Sequence, residues 1–262
     1  MTADDLGHDV DVPAEALRVV SLVPSISEAL AATRREAVVG ATDWCTHPAD
    51  LDVARVRGTK NPDRAAVEAL RPDLVVANQE ENRELDVRRL REAGVPVWVT
   101  RIETVDEALA SLRRLFTEAL GWGVPDWLVE AGAAWSDPVP PVRGRVVVPI
   151  WRDPWMVVGP RTFTADLLRR LGWEVVTGAT ASGGGAGPRA AEDRAERYPH
   201  VEVADVDLPD VDLALLPDEP YVFGPDDGPD AFTTVPTRLV SGRLLTWYGP
   251  SLVEARSAFA DL

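Results

Sequence analysis

Two stretches far apart in the chain repeat one pattern. Asp73 leads into the apolar run Leu74-Val75-Val76-Ala77, which ends in the polar cluster Asn78-Gln79-Glu80-Glu81-Asn82. Asp212 leads into Leu213-Ala214-Leu215-Leu216, which ends in Pro217-Asp218-Glu219. A short continuous apolar run bounded by polar turns is a strand buried on both faces, and such strands belong to parallel sheets covered by helices. Open α/β sheets hold ligands at the carboxyl ends of their strands, where both polar clusters fall. One scheme used twice in 262 residues predicts two similar lobes with a ligand cleft between them.

The rest of the chain alternates strand and helix signals in the same sense. Arg18–Val23 reads as a strand, followed by Pro24 and by Ser25-Ile26-Ser27-Glu28, where Ser25 and Glu28 have the spacing of a capping box. Asn61 and Pro62 have the chemistry of a cap and a first helical residue. Val95–Val99 closes a first lobe, residues 1–103. Leu109, Leu112, Phe116 and Leu120 line one helical face, and Pro125 opens a further helix, so residues 104–141 form a bridging helical segment. The second lobe, 142–262, restarts with Arg145–Ile150 as a strand. The glycine-rich stretch within 178–197 lacks the Lys and Ser/Thr of a phosphate loop and reads as a mobile surface segment.

Charge narrows the partners. The chain has 27 basic and 43 acidic residues, a net charge of -16, and this balance repels phosphate backbones and anionic membranes. Neither nucleic acid nor membrane insertion is expected. Residues 1–16 carry five acids and no basic, apolar pattern of a signal peptide, and the single cysteine, Cys45, offers no lipid-anchor site there. These features give a cytoplasmic location as the expectation.

Catalytic chemistry finds little support. Asp43, Cys45 and His47 are zinc-ligand types, but His8 and His200 have no comparable neighbours, and no metal site is expected. No nucleophile elbow is present. The pairs Glu80/Glu81 and Asp218/Glu219 would suit a cleft hydrolase, although carboxylates at strand ends are more often solvated turn residues. The nine tryptophans are more informative. Trp44, Trp151, Trp155 and Trp247, with Tyr221, Phe223 and Tyr248, fall after strands, where rings beside polar groups suit a large ring-bearing ligand.

Three segments carry a family resemblance: Val19-Val20-Ser21-Leu22-Val23-Pro24-Ser25-Ile26-Ser27-Glu28, Gly40-Ala41-Thr42-Asp43, and Ala69-Leu70-Arg71-Pro72-Asp73-Leu74-Val75-Val76-Ala77. Together they resemble the helical-backbone substrate-binding proteins of cobalamin and iron–siderophore uptake, including the vitamin B12-binding components of ABC importers. Trp151–Trp155, Gly159–Phe163 and Leu215–Phe223 are similar to the second lobe of the cobalamin-binding-like members. The resemblance implies two Rossmann-like α/β lobes joined by a bridging helix. It also implies non-enzymatic binding of a cobalamin-like molecule or a metal chelate such as a ferric siderophore or haem, with no required cofactor.

Carried over by motif, the expected ligand-binding residues of the first lobe are Pro24, Ser25, Trp44, Thr59, Lys60, Asn61, Glu80, Glu81 and Asn82. Those of the second are Trp151, Arg152, Trp155, Glu219, Phe223 and Trp247. Lys60 and Arg152 would meet amide or carboxylate oxygens, and Glu80 and Asn82 would supply hydrogen bonds. Importers of this family present one surface acid per lobe to a permease. Asp63 takes the first position, but Ala204 stands between Glu202 and Asp205 at the second, so permease docking is not expected. A start that omits a signal sequence would restore the importer reading.

Overall fold

The computed structural model describes residues 2–178 and 196–262. The glycine cluster Gly183, Gly184, Gly185 and Gly187 lies outside the described residues. The chain forms two compact units. The first comprises Met1–Ile102, Asp106–Ala134 and Trp247–Val253, the second Glu103–Val105, Trp135–Thr246 and Glu254–Leu262. The segment expected to bridge the lobes thus clusters mostly with the first unit, and so does Trp247, counted above with the second.

The first unit is built on five parallel strands: β1 (Val19–Ser21), β2 (Val38–Ala41), β3 (Ala54–Arg55), β4 (Leu74–Asn78) and β5 (Val97–Thr100). Their spatial order is β3-β2-β1-β4-β5. Chain order reverses between β1 and β4, which makes that pair the switch point of the sheet, where the two exit loops turn opposite ways and open a crevice. Val20, Leu22, Val75, Ala77, Val97 and Val99 join Val67, Val87 and Leu90 in one core, so the apolar runs are buried as the sequence pattern requires.

Helices return the chain between strands: α1 (Pro24–Arg34), α2 (Arg64–Ala69) and α3 (Glu84–Glu92). Two of their starts differ from the expected caps. Pro24, with its preset φ, opens α1 at its first position, which moves Ser25 inside the helix. Asp63, not Asn61, caps α2 by accepting the Ala66 N–H at 3.1 Å. Asn61 and Pro62 instead pair with Arg57 and Gly58 in a short antiparallel hairpin. α3 carries Glu84 and Asp86 in its first turn and Arg89 and Arg91 in its last, matching the helix dipole at both ends. Further on lie α4 (Val105–Arg114), extended by a π-helical turn over Leu115–Ala119, and α5 (Asp126–Ala134).

Among the described residues the second unit has four parallel strands, β6 (Gly144–Val147), β7 (Trp173–Val175), β8 (Leu213–Pro217) and β9 (Thr237–Val240), in the order β7-β6-β8-β9. Its switch point lies between β6 and β8. The strand expected over 145–150 ends at Val147, and Pro149–Trp151 turns out of the sheet to pair with Met156–Val157. Helices α6 (Phe163–Arg169), α7 (Gly242–Thr246) and α8 (Ser251–Ala258) complete the chain. Thr162 caps α6, its Oγ1 accepting the Ala165 N–H at 3.2 Å. Val147, Ala214 and Leu216 pack with Val157, Phe223 and Phe232 in the core.

Candidate functional site

In the first unit the expected residues collect around the β1/β4 switch point. Asn82 is buried there and is the brace of the crevice. Its Nδ2 donates to the carbonyl of Leu22, at the exit of β1, at 3.1 Å and to that of Thr59 at 2.9 Å. Its Oδ1 accepts the N–H of Asn78, at the end of β4, at 2.8 Å. Asn78 in turn accepts the N–H groups of Glu80 and Glu81 at 2.8 and 3.2 Å and donates to the Thr100 carbonyl at 3.3 Å. Both amides are therefore spent within the protein, that of Asn78 also on the Thr100 hydroxyl at 3.1 Å, and Asn82 positions the loops around it.

The 57–62 hairpin presents Thr59 and Lys60 at its turn, and Lys60 Nζ donates to the backbone carbonyl of Glu80. Trp44 is 65% exposed and its indole stands over Gly58, where an added Cβ would lie 3.3 Å from Nε1 and 2.5 Å from Asn61 Oδ1. Gly58 lets the hairpin approach the ring. Trp247 is buried and meets His47 edge to face with centroids 5.5 Å apart, while the Tyr248 hydroxyl donates to Glu81 Oε1 at 3.4 Å. The same segment brings Gly249 against the start of α1, where an added Cβ would lie 3.1 Å from the Ser25 carbonyl. Ser25 is buried, and its Oγ has no hydrogen-bond partner among the described residues. Pro24, by contrast, is half-buried.

Cys45, next to Trp44 in the chain, is buried, with its Sγ 2.9 Å from Ser27 Oγ and 3.1 Å from Thr42 Oγ1. Burial pushes its thiol pKa up, against the lowering effect of those hydroxyls. Among the described residues no group of His, Cys, Asp and Glu is placed to hold a metal ion.

In the second unit the loops that leave β6 and β8 meet in an aromatic cluster. The turn Trp151–Trp155 joins the two strands of the 149–157 hairpin and includes Asp153 at φ 60. Trp155 stacks on Phe223 with centroids 5.8 Å apart and planes 11° from parallel, and it meets Phe232 edge to face at 6.0 Å. Tyr221 sits 4.7 Å from Phe223 and 5.7 Å from Trp151. Buried Phe223 and half-buried Trp155 thus form the floor of the cluster, and Trp151, 45% exposed, is its open ring. Glu219 follows β8 and lies against α7, where an added Cβ on Gly242 would fall 2.4 Å from its Cγ. Asp218 Oδ1 accepts the Gly242 N–H at 2.7 Å.

Arg152 is already matched within this unit. Its guanidinium reaches Asp230 through Nη1 at 3.1 Å and Nη2 at 3.0 Å, and Nη1 also bonds Asp227. Its Cζ stands 5.4 Å over the Trp155 ring. Asp227 accepts the Tyr221 hydroxyl at 2.6 Å, and Asp230 accepts the Gly228 N–H at 2.8 Å. The pairing with Asp230, and then Asp227, raises the Arg152 pKa further above its ordinary value, while Asp227 raises that of Tyr221. Sequence reasoning named Arg152 but neither aspartate. The signal was the turn-forming run Asp226-Asp227-Gly228-Pro229-Asp230, two acids of which fold back under the guanidinium.

Two switch points, each with polar loops and an exposed tryptophan on a loop nearby, are an arrangement suited to holding a small molecule. No family model matches the chain. The vitamin B12-binding protein of Pectobacterium carotovorum subsp. carotovorum (strain PC1) is 30% identical over 102 residues, which is 38% of this chain and 37% of that protein. The likeness in three dimensions extends much further. The periplasmic vitamin B12-binding protein BtuF of Vibrio cholerae superposes with a TM-score of 0.68 over 94% of this chain and 95% of its own, at 15% identity. The periplasmic heme-binding protein RhuT from Roseiflexus sp. RS-1 gives 0.69 over 93% and 98%, at 20% identity.

The chain has the fold of the periplasmic vitamin B12- and haem-binding proteins. A periplasmic heme-binding protein from Pseudomonas aeruginosa, with a TM-score of 0.70 over 94% of this chain and 91% of its own at 18% identity, has it too. The cytoplasmic location expected from the first residues is corrected by these likenesses, because the solved proteins that share the fold are periplasmic. Among the described residues no helix is long and apolar enough to cross a membrane.

Proposed function

We propose that the protein is a non-enzymatic solute-binding protein that works outside the cytoplasm, as the capture component of an ABC importer, for a ring-bearing small molecule of the cobalamin, haem or ferric-chelate kind. The observation that carries this reading is the placement of an open ring on the carboxyl-end loops of each sheet: Trp44 beside the 57–62 hairpin and Trp151 on the aromatic cluster of Trp155, Tyr221 and Phe223. A flat macrocycle gains most from such rings, and preformed walls hold it at little ordering cost. Lys60, Thr59 and Asn61 on the hairpin and Glu80 and Glu81 after β4 supply polar contacts at the rim. Glu219 contributes at the second switch point, while Pro24, Ser25, Asn82, Trp247 and Phe223 shape the walls.

Binding fits the carboxylates better than hydrolysis does. Glu81 is bonded by Tyr248 and Asp218 by the Gly242 N–H, each inside its own unit. The test is a tryptophan-fluorescence titration, checked by calorimetry, with cyanocobalamin and haemin. Saturable one-to-one binding that weakens about tenfold in Trp151→Ala, with the fold intact by circular dichroism, is the expected result. Absence of saturable binding by either compound at high micromolar concentration overturns the reading.

A further inference from the structure

The second switch point carries a cation whose charge is already matched by the protein's own acids. Arg152 faces two carboxylates that are themselves held in place, Asp227 by the Tyr221 hydroxyl and Asp230 by the Gly228 N–H. Asp153, in the same turn, adds a further negative charge close enough to act on Tyr221. One guanidinium therefore stands against three carboxylates around the open ring of Trp151. Arg243, which follows the exit of β9, is paired with Glu254 at 3.2 Å. The chain as a whole, at a net charge of -16, adds a field of the same sign.

Carboxylate and catecholate groups are bound by guanidinium forks when those forks are available. Here the Nη1/Nη2 edge is taken by the protein's own acids and the charge is outnumbered by the carboxylates around it, so an incoming carboxylate would either compete with both or lie among like charges. Amide side groups, or a positive charge, meet no such cost. Resting on the binding function above, we propose that Asp227 and Asp230 are specificity-determining residues. They withhold Arg152 from the ligand, so that this face takes a neutral or cationic ring-bearing chelate and rejects an anionic one.

Two probe pairs isolate charge from shape: cyanocobalamin against cyanocobalamin whose propionamides are hydrolysed to carboxylates, and haemin with its propionates converted to amides against haemin itself. The wild-type protein is expected to favour the amide form of whichever pair it binds by about tenfold or more at low salt, and the preference should shrink with added salt. In the Asp227→Asn/Asp230→Asn variant, Arg152 is released and the preference should fall to about threefold or less. Arg152→Gln in the wild-type background should leave the preference standing. Wild-type binding of a carboxylate form as tight as its amide partner overturns the inference and leaves the binding function intact. If the wild-type protein binds none of the four, the binding function falls and takes the inference with it. Should the double variant fail to fold, the wild-type comparison decides.

Discussion

Replacing Asn82 by Ala removes one side chain and strands three backbone groups. The carbonyls of Leu22 and Thr59 lose their shared donor, and the N–H of Asn78 loses its acceptor. Asn82 is only 6% exposed, so solvent replaces these partners poorly. A net hydrogen bond is worth about 1 kcal/mol, and a buried group left unpaired costs about 1–3 kcal/mol. Relaxation of the 57–62 hairpin lets the Thr59 carbonyl reach water, whereas Leu22 and Asn78 are buried and have no such escape. The expected destabilisation is therefore about 3 kcal/mol, with Asn82→Asp at least as severe because its carboxylate would face two carbonyls. Urea unfolding followed by far-ultraviolet circular dichroism reads this directly, fitted with two transitions if the two units unfold separately. An Asn82→Ala midpoint within about 0.5 kcal/mol of the wild type would show that the brace carries no load, and the account of the β1/β4 crevice would fail with it.

Three further outcomes follow from the same contacts. Partial burial works to raise the pKa of Asp207, but the N–H groups of Thr233, Val235 and Thr234 and the Thr233 hydroxyl outweigh it and hold the carboxyl at about 2. A folded pKa below the unfolded one gives stability that is full above the ordinary carboxylate range and is lost as pH falls through about 2. The Asp207 carboxyl resonance should accordingly titrate near that value, and a midpoint at the ordinary aspartate position would refute the clamp. Gly242→Ala would place a Cβ 2.8 Å from the Glu219 carbonyl oxygen and 2.9 Å from its nitrogen, backbone atoms that cannot swing aside. A loss of about 2 kcal/mol in urea is expected, and an unchanged midpoint would mean that the Glu219 turn yields freely. Cys45, buried and with its thiol pKa raised chiefly by that burial, should resist Ellman's reagent in the folded protein and react at once in denaturant. Rapid labelling under native conditions would contradict its placement.

The parallel sheets were legible because their signal is local. Leu74–Ala77 and Ala214–Leu216 are buried on both faces, with Leu213 half-buried at the strand's start, and a short apolar run announces that by itself. Helix starts were less legible where two residue types compete for one role. Ser25 and Asn61 have good cap chemistry, yet Pro24 fixes the first turn of α1, and Asp63 lies nearer the true start of α2. The sharp exit of Pro149–Trp151 from the sheet, and the crossing of Trp247–Val253 into the first unit, depend on packing between elements distant in sequence. Neither leaves a periodic trace, so neither could be read from the chain alone.

The candidate residues divide along the same line. An exposed ring such as Trp44 or Trp151 stays open in the fold, because little else competes for it. A polar side chain has partners to satisfy, and burial decides which of them it takes. Asn82 reads in the sequence as a hydrogen-bond partner for a ligand, and in the structure its amide is used up on Leu22, Thr59 and Asn78. Arg152 reads as a cation for amide or carboxylate oxygens of a ligand, and in the structure Asp227 and Asp230, 75 and 78 residues away, bond it. In both cases residue type fixes what chemistry is available, and long-range pairing fixes to whom it is offered. The aspartates are therefore the positions at which ligand preference can be changed while the rings and the strand-end frame stay in place.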